Sequence, residues 1–161
     1  MKLNLGALDR RFEGFLSVDI VPPADIVTDL SQPWPWPDSS VDEVLAYDVF
    51  EHLPDIRHAL NELWRVLKPG ARATIQVPNA ANGDGGFCDP THRSYWTRST
   101  FEYFCKGIAE RERFRTSPYY GVTADFRILN LLRDGSLPGT MHRRVFGGTV
   151  EELHAVLEAM K

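Results

Sequence analysis

The stretch that decides the fold runs from Lys2 to Pro78: KLNLG at 2–6, FLSVDI at 15–20, ADIVTDL at 24–30, VDEVLAYDVFEHL at 41–53, ALNELWRVLKPG at 59–70 and ATIQV at 73–77. Short apolar runs that each close on Gly6, Asp19, Asp29 or Asp48 read as strands of a parallel sheet whose carboxyl-end loops hold a ligand. Between the first two runs lie only residues 7–14, whereas a parallel crossover usually needs a dozen or more residues and a helix. The first crossover helix is therefore expected to be vestigial. PWPWPDSS at 33–40 cannot be helix or central strand, because three prolines in five residues remove donors and fix φ.

A helix is predicted from Pro54, whose missing N–H costs nothing in a first turn. Ile56, Ala59, Leu60, Leu63, Val66 and Leu67 then follow helical spacing, and Lys68-Pro69-Gly70 ends it. Residues 71–77 alternate, giving a strand with one wetter face that carries Arg72, Thr74 and Gln76; a fully covered parallel strand would be more uniformly apolar. Further on, a polar loop at 79–93, a short helix near 99–106, strand material in 112–132, a turn at 133–139 and a strand at 140–146 are expected. A closing helix is predicted over 149–160, with Thr149 and Glu152 as its capping box and Leu153, Val156, Leu157 and Met160 as its apolar stripe.

With 161 residues, 43% hydrophobic and 25% charged, the chain reads as one globular domain over 1–161. A net charge of −4 argues against a broad hold on nucleic acid. Two cysteines are too few for a disulfide framework, no stretch approaches the length of a membrane span, and no signal peptide precedes the first strand. These features point to a cytoplasmic protein with neither nucleic acid nor membrane as partner.

In order, LNLGAL at 3–8, VDI at 18–20, TDL at 28–30, EHL at 51–53, RVLKPGA at 65–71 and the later DPTHRSYW at 89–96 resemble the small class I S-adenosylmethionine-dependent methyltransferases. The resemblance implies an α/β fold: a Rossmann-like, mostly parallel sheet with an antiparallel edge strand, its N-terminal helices reduced or missing. It also implies S-adenosylmethionine as cofactor. Gly6, flanked by Leu5 and Ala7, would let the cofactor approach the main chain. Asp19, with Ile20 beside it, would accept hydrogen bonds from the ribose hydroxyls. Asp29 would meet the adenine amine while Leu30 packs on the ring. Asp48, Val49 and His52 would border the methionine portion.

The chain departs from the family at Leu8, where a second glycine is expected. Leu8 turned into the core leaves room for the cofactor; Leu8 turned toward the loop narrows its site. Methyl transfer from a sulfonium needs alignment more than acid–base chemistry, so no residue is forced to be catalytic. His92 is the candidate base, Asp89 its orienting group, and Tyr95 and Trp96 candidate walls for the acceptor. Linear spacing shows no metal-ligand cluster.

The acceptor expected is a small molecule or a sugar- or lipid-linked precursor. The competing reading is a non-catalytic module of the same fold that binds a partner, its cofactor site weakened by Leu8. The reduced helices also predict an under-covered sheet face and a homodimer or partner subunit over it.

Overall fold

The computed structural model describes residues 1–81, 85–108, 118–133, 144–145, 148–149 and 152–161. Strands β1 (Lys2–Leu5), β2 (Leu16–Asp19), β3 (Ile26–Val27) and β4 (Val41–Tyr47) are followed by helix α1 (Ile56–Val66), strand β5 (Leu67–Pro78) and the short helix α2 (Arg98–Glu102). Strands β6 (Phe126–Arg133), β7 (Arg144–Val145), β8 (Gly148–Thr149) and β9 (Glu152–Ala159) complete the described elements. Seven strands form one sheet in the order β3-β2-β1-β4-β5-β9-β6, and β7 pairs with β8 in a separate ribbon. β1 to β5 pair in parallel, while β9 runs antiparallel to both β5 and β6. The mostly parallel sheet is thus as expected, with the antiparallel strand one position in from the edge. No described helix is long and apolar enough to cross a membrane.

Three expectations are corrected. The closing helix over 149–160 is instead strand β9, and Thr149 sits in β8 opposite Arg144. Leu153, Ala155, Leu157 and Ala159 are all buried, which is the period of a strand rather than a helix. The slot between β5 and β6 offers a full ladder of partners to residues whose intrinsic preference is helical, and tertiary pairing wins. The helix expected from Pro54 begins one turn-defining residue later: Asp55 is the N-cap, accepting from the Arg57 N–H at 2.8 Å and the His58 N–H at 3.2 Å. The third strand, expected over 24–30, shrinks to Ile26–Val27. Most of the turn at 133–139 and of the strand at 140–146, and part of the 112–132 segment, lie outside the described residues.

The sheet has two unlike faces. On one, Leu3, Leu5, Val18, Val44, Ala46, Ala73, Ile75, Val77, Leu153, Ala155 and Leu157 are all buried and apolar, in matching register. α1 closes this side with Ala59, Leu60, Leu63 and Val66. The Pro/Trp loop adds Trp34 and Trp36, whose rings meet edge to face at 5.7 Å. The opposite face is mixed: one row is charged, while half-buried Leu45, Tyr47 and Val156 stand further along it. Lys2, Glu43, Arg72, Glu158 and Arg127 stand side by side in register across β1, β4, β5, β9 and β6, alternating in sign. The wetter face read from β5 is real at exposed Arg72 and half-buried Thr74, and it fades at Gln76, which is buried.

No helix lies between β1 and β2, as the short crossover required, nor between β2 and β3. Instead the Asn4 side chain donates to the Arg10 carbonyl at 2.9 Å. Asp25 accepts from both the Ser17 N–H at 2.8 Å and the Ser17 hydroxyl at 2.7 Å. These side-chain bonds fasten the loops where a crossover helix would otherwise pack.

Candidate active site

β1, β2 and β4 end side by side, and their carboxyl-end turns form one rim of a cleft of about 530 Å³. That size suits a nucleoside-class ligand. Gly6 turns the chain out of β1 at φ +60°; a Cβ there would lie 2.6 Å from the Val49 Cβ. The glycine is thus demanded by its own backbone and by Val49 on the neighbouring turn, before any ligand is considered. Leu5 and Ala7, expected at the site, are buried in the core behind it. Neither lines the cleft.

Leu8 resolves the sequence's main anomaly differently from either expectation. It takes φ +45° and its side chain is 67% exposed. It enters neither core nor cleft, while its N–H donates to Asp19 Oδ2 at 2.8 Å. The Ile20 N–H donates to Asp19 Oδ1 at 2.7 Å. The Val21 N–H reaches the same Oδ1 at 3.4 Å, so Oδ2 is the oxygen that keeps a lone pair for a ligand. Asp19, Ile20, Asp29 and Leu30 line one side of the cleft, together with Thr28 and Ser31, which the sequence did not single out. Ser31 hydrogen bonds hold the Asp29 carboxyl below the usual carboxylate range, so it is an anion facing the cleft.

Val49 and His52 line the opposite side, joined by Leu53, Pro54 and Arg93. Asp48 does not line it. Its backbone sits at φ +55°, and its carboxylate takes Arg10 at 3.1 Å and the Gln76 amide at 3.2 Å. The acid expected at the methionine end is already engaged by the loop after Gly6.

One carbonyl takes two backbone bonds from the DPTHRSYW loop. Glu51 O accepts the N–H groups of Arg93 at 2.7 Å and Ser94 at 3.0 Å. This brings His92 beside His52, ring centroids 5.0 Å apart. His92 itself does not line the cleft; its side chain is 6% exposed and Nδ1 donates to the Gly86 carbonyl at 3.0 Å. Asp89 does not orient His92 by a hydrogen bond, since the two are 3.9 Å apart. It accepts instead from the Thr91 hydroxyl at 2.6 Å, and that hydroxyl meets His52 Nδ1 at 3.1 Å. The relay Asp89–Thr91–His52 therefore replaces the expected Asp89–His92 pair, and the histidine at the cleft is His52. Trp96 is not an acceptor wall either: it is fully buried against Phe50 and Phe101. Tyr95 is exposed and stacks on Phe87 at 4.5 Å.

Glu51 is buried beneath this loop, 2% exposed, with Oε2 lacking a partner among the described residues. Burial pushes its carboxyl up to about 8, and the negative charges of Asp48, Glu152 and Asp89 push the same way. Glu51, His52 and His92 each offer a ligand atom within 4.8 Å of the other two. Linear spacing could not show this, because His92 is forty positions away from His52 and arrives by the loop docking on Glu51 O. Glu51 and Thr91 were within quoted motifs, beside His52 and His92; the missing signal was their neighbourhood in space.

Residues 6–75 match the family model described as a methyltransferase domain. A curated relative from Mycolicibacterium smegmatis, a probable S-adenosylmethionine-dependent methyltransferase, is 44% identical over 45 residues; the match spans 28% of this chain and 18% of that protein. Among solved structures, a methyltransferase from Methanosarcina mazei superposes with a TM-score of 0.64 at 15% identity, covering 99% of this chain and 92% of that one. A Burkholderia thailandensis 1,6-didemethyltoxoflavin N1-methyltransferase with bound S-adenosylhomocysteine gives 0.61 at 17% identity, covering 99% and 71%. Across residues 6–75 the chain is thus similar in sequence to a methyltransferase domain, and its described elements share the fold of solved S-adenosylmethionine-dependent methyltransferases.

Proposed function

We propose that the protein transfers a methyl group from S-adenosylmethionine to a small-molecule acceptor. The observation that carries this reading is one continuous cleft with the Asp19 and Asp29 carboxylates along one side and His52 and Arg93 along the other. Asp19 is suited to the ribose hydroxyls, since its carboxylate is oriented by three backbone N–H groups and Oδ2 retains a lone pair. Ile20 and Leu30 offer apolar surface to the base, and the ionised Asp29 suits an exocyclic amine.

When bound, the cofactor supplies a methyl on a sulfonium, already reactive toward a nucleophile in line with it. The chain's part is alignment and exclusion of water. Thr91 gives its hydroxyl proton to Asp89, so in the Thr91–His52 contact the imidazole Nδ1 donates and Nε2 keeps its lone pair. His52 is thereby the group of this cleft able to take a proton from an acceptor hydroxyl, amine or thiol. Arg93 beside it favours an acceptor with an anionic group, as a small acid or a phosphorylated sugar or lipid-linked precursor carries. The exposed Phe87–Tyr95 stack on the same loop suits a planar acceptor; the Burkholderia neighbour, whose acceptor is a small molecule, supports that class.

A homodimer or partner subunit over the charged row of the sheet would meet the alternating charges of Glu43, Arg72 and Glu158, and its interface there would be electrostatic. The second reading, a binding module without catalysis, draws on Asp48, whose carboxylate is held by Arg10 and Gln76. Calorimetry with S-adenosylhomocysteine separates the two. The enzyme reading expects a dissociation constant in the micromolar range, weakened at least ~100-fold (about 2.8 kcal/mol) by Asp19→Ala. Absence of binding at millimolar ligand assigns the fold to a module.

A further inference from the structure

We propose that Glu51, His52 and His92 form a binding site for one first-row divalent transition-metal ion, zinc being the reference case, at the acceptor end of the cleft. The three side chains come from two segments, the turn Phe50–His52 and the 89–96 loop, and one ligand atom from each lies within 4.8 Å of the others. Two imidazoles and one carboxylate with an open position are a donor set that zinc and its neighbours accept, and that magnesium and calcium do not favour.

Three independent features point to a cation rather than to a chance gathering. Each imidazole is held by a hydrogen bond at Nδ1, as metal-bound histidines are. For His92 the partner is the Gly86 carbonyl, which can only accept, so Nδ1 carries the proton and Nε2 is the free donor. For His52 the partner is the Thr91 hydroxyl, whose own proton goes to Asp89, so again Nδ1 donates and Nε2 is free. The third feature is Glu51: a carboxyl group 2% exposed, whose Oε2 has no partner among the described residues. A buried oxygen without a donor is costly, and a cation among the three groups removes that cost.

The ligand atoms of a tetrahedral zinc site lie about 3.4 Å apart, given zinc–nitrogen distances near 2.1 Å. The observed 4.8 Å limit means that ion binding draws the ligand atoms together by up to about 1.4 Å. Asp89, 3.9 Å from His92 Nε2, is the outer carboxylate of the arrangement. Because His52 lines the cleft, the open coordination position faces the acceptor; a bound ion takes the His52 Nε2 lone pair, so His52 acts as a base only in the metal-free site. That last point rests on the methyltransferase reading; the metal site itself does not.

The test uses the whole chain without an affinity tag, stripped with EDTA and titrated with Zn²⁺ by calorimetry and with Co²⁺ by visible absorption. One equivalent is expected to bind, with Co²⁺ d–d bands in the 500–650 nm region, on the order of those of mixed nitrogen–oxygen sites of low coordination number. His52→Asn and His92→Asn are each expected to weaken Zn²⁺ binding by ~100-fold or more, and Thr91→Val by about tenfold through loss of the outer hydrogen bond. His58→Asn, on the outer side of α1, leaves binding unchanged. Circular dichroism establishes that each variant is folded, and where one is not, Glu51→Gln provides the same comparison. No stoichiometric Zn²⁺ binding by the wild type, or binding indifferent to His52 and His92, overturns the proposal. Cofactor binding plays no part in either readout, so this result and the fate of the methyltransferase reading are separable.

Discussion

Leu8 stands where a glycine is expected and adopts the left-handed conformation a glycine would take. What that position supplies to the site is its N–H, given to Asp19; the side chain points to solvent. A left-handed L-residue costs roughly 1–2 kcal/mol, and a glycine there would relieve it while adding roughly 0.5–1 kcal/mol of unfolded-chain entropy. Leu8→Gly is therefore expected to change stability by less than about 1 kcal/mol, in the stabilising direction. More telling is its effect on S-adenosylhomocysteine. A side chain outside the cleft leaves affinity within about threefold, or ~0.6 kcal/mol, by calorimetry. A tenfold gain would mean that the leucine had been occupying ligand space.

At the scale of elements, the polar side of α1 ties down the Pro/Trp loop. Glu62 accepts from the Trp34 N–H at 2.7 Å and from Arg65 at 2.7 and 2.8 Å. Arg65 in turn reaches the Trp34 and Trp36 carbonyls and Asp38. The Arg65 hydrogen bond, ahead of every other cause, holds the Glu62 carboxyl below its ordinary 4.5. A depressed folded pKa gives stability that is complete above the unfolded value and lost as pH falls through the folded one. Glu62→Gln is expected to lose about 1–2 kcal/mol at pH 7, as charged hydrogen bonds at a partly exposed site do. The gap between variant and wild type should narrow below pH 4.5. Urea unfolding at pH 7 and at pH 3.5 tests this: an equal gap at both would show that charge is not the cause. The same scale shows what the sequence could reveal. α1 was legible because period and stop signal agreed, and only its start was misread: Pro54, expected in the first turn, precedes the Asp55 N-cap. β9 was not legible, because ELHAVLEA is built from helix-favouring residues, and Ala155 and Ala159 are too small to announce a strand by hydropathy. Its conformation is set by the gap between β5 and β6, which no local window contains. The side of the cleft formed by Asp19, Ile20, Asp29 and Leu30 was legible, since strand ends mark it directly. The His52 side was not, because it depends on where the loop carrying Thr91 and His92 lands.

Across the whole molecule, the sheet behaves as parallel sheets usually do on one face only. Both faces of such sheets are generally apolar and helix-covered, but here Lys2, Glu43, Arg72, Glu158 and Arg127 cross one face as a row of alternating charge. The outer members pair directly, Lys2 with Glu43 at 2.8 Å and Arg127 with Glu158. Arg72 is the cation at the centre, in register with an acid on either side. The polar position first visible at Arg72 thus continues across the sheet in this one row, and it makes this end of the face compatible with water. Reversing the central charge tests that account. Arg72→Glu sets three acids side by side, and like charges on adjacent strands destabilise where opposite ones stabilise. A loss of about 1–2 kcal/mol is expected at low ionic strength, since each exposed pair contributes up to ~1 kcal/mol. Because the row is exposed, the loss should shrink by more than half in about 1 M salt, where screening acts within ~3 Å. A deficit insensitive to salt would locate the effect in packing beneath Arg72, and a shift in sedimentation accompanying it would show that the charged face is held against a second subunit.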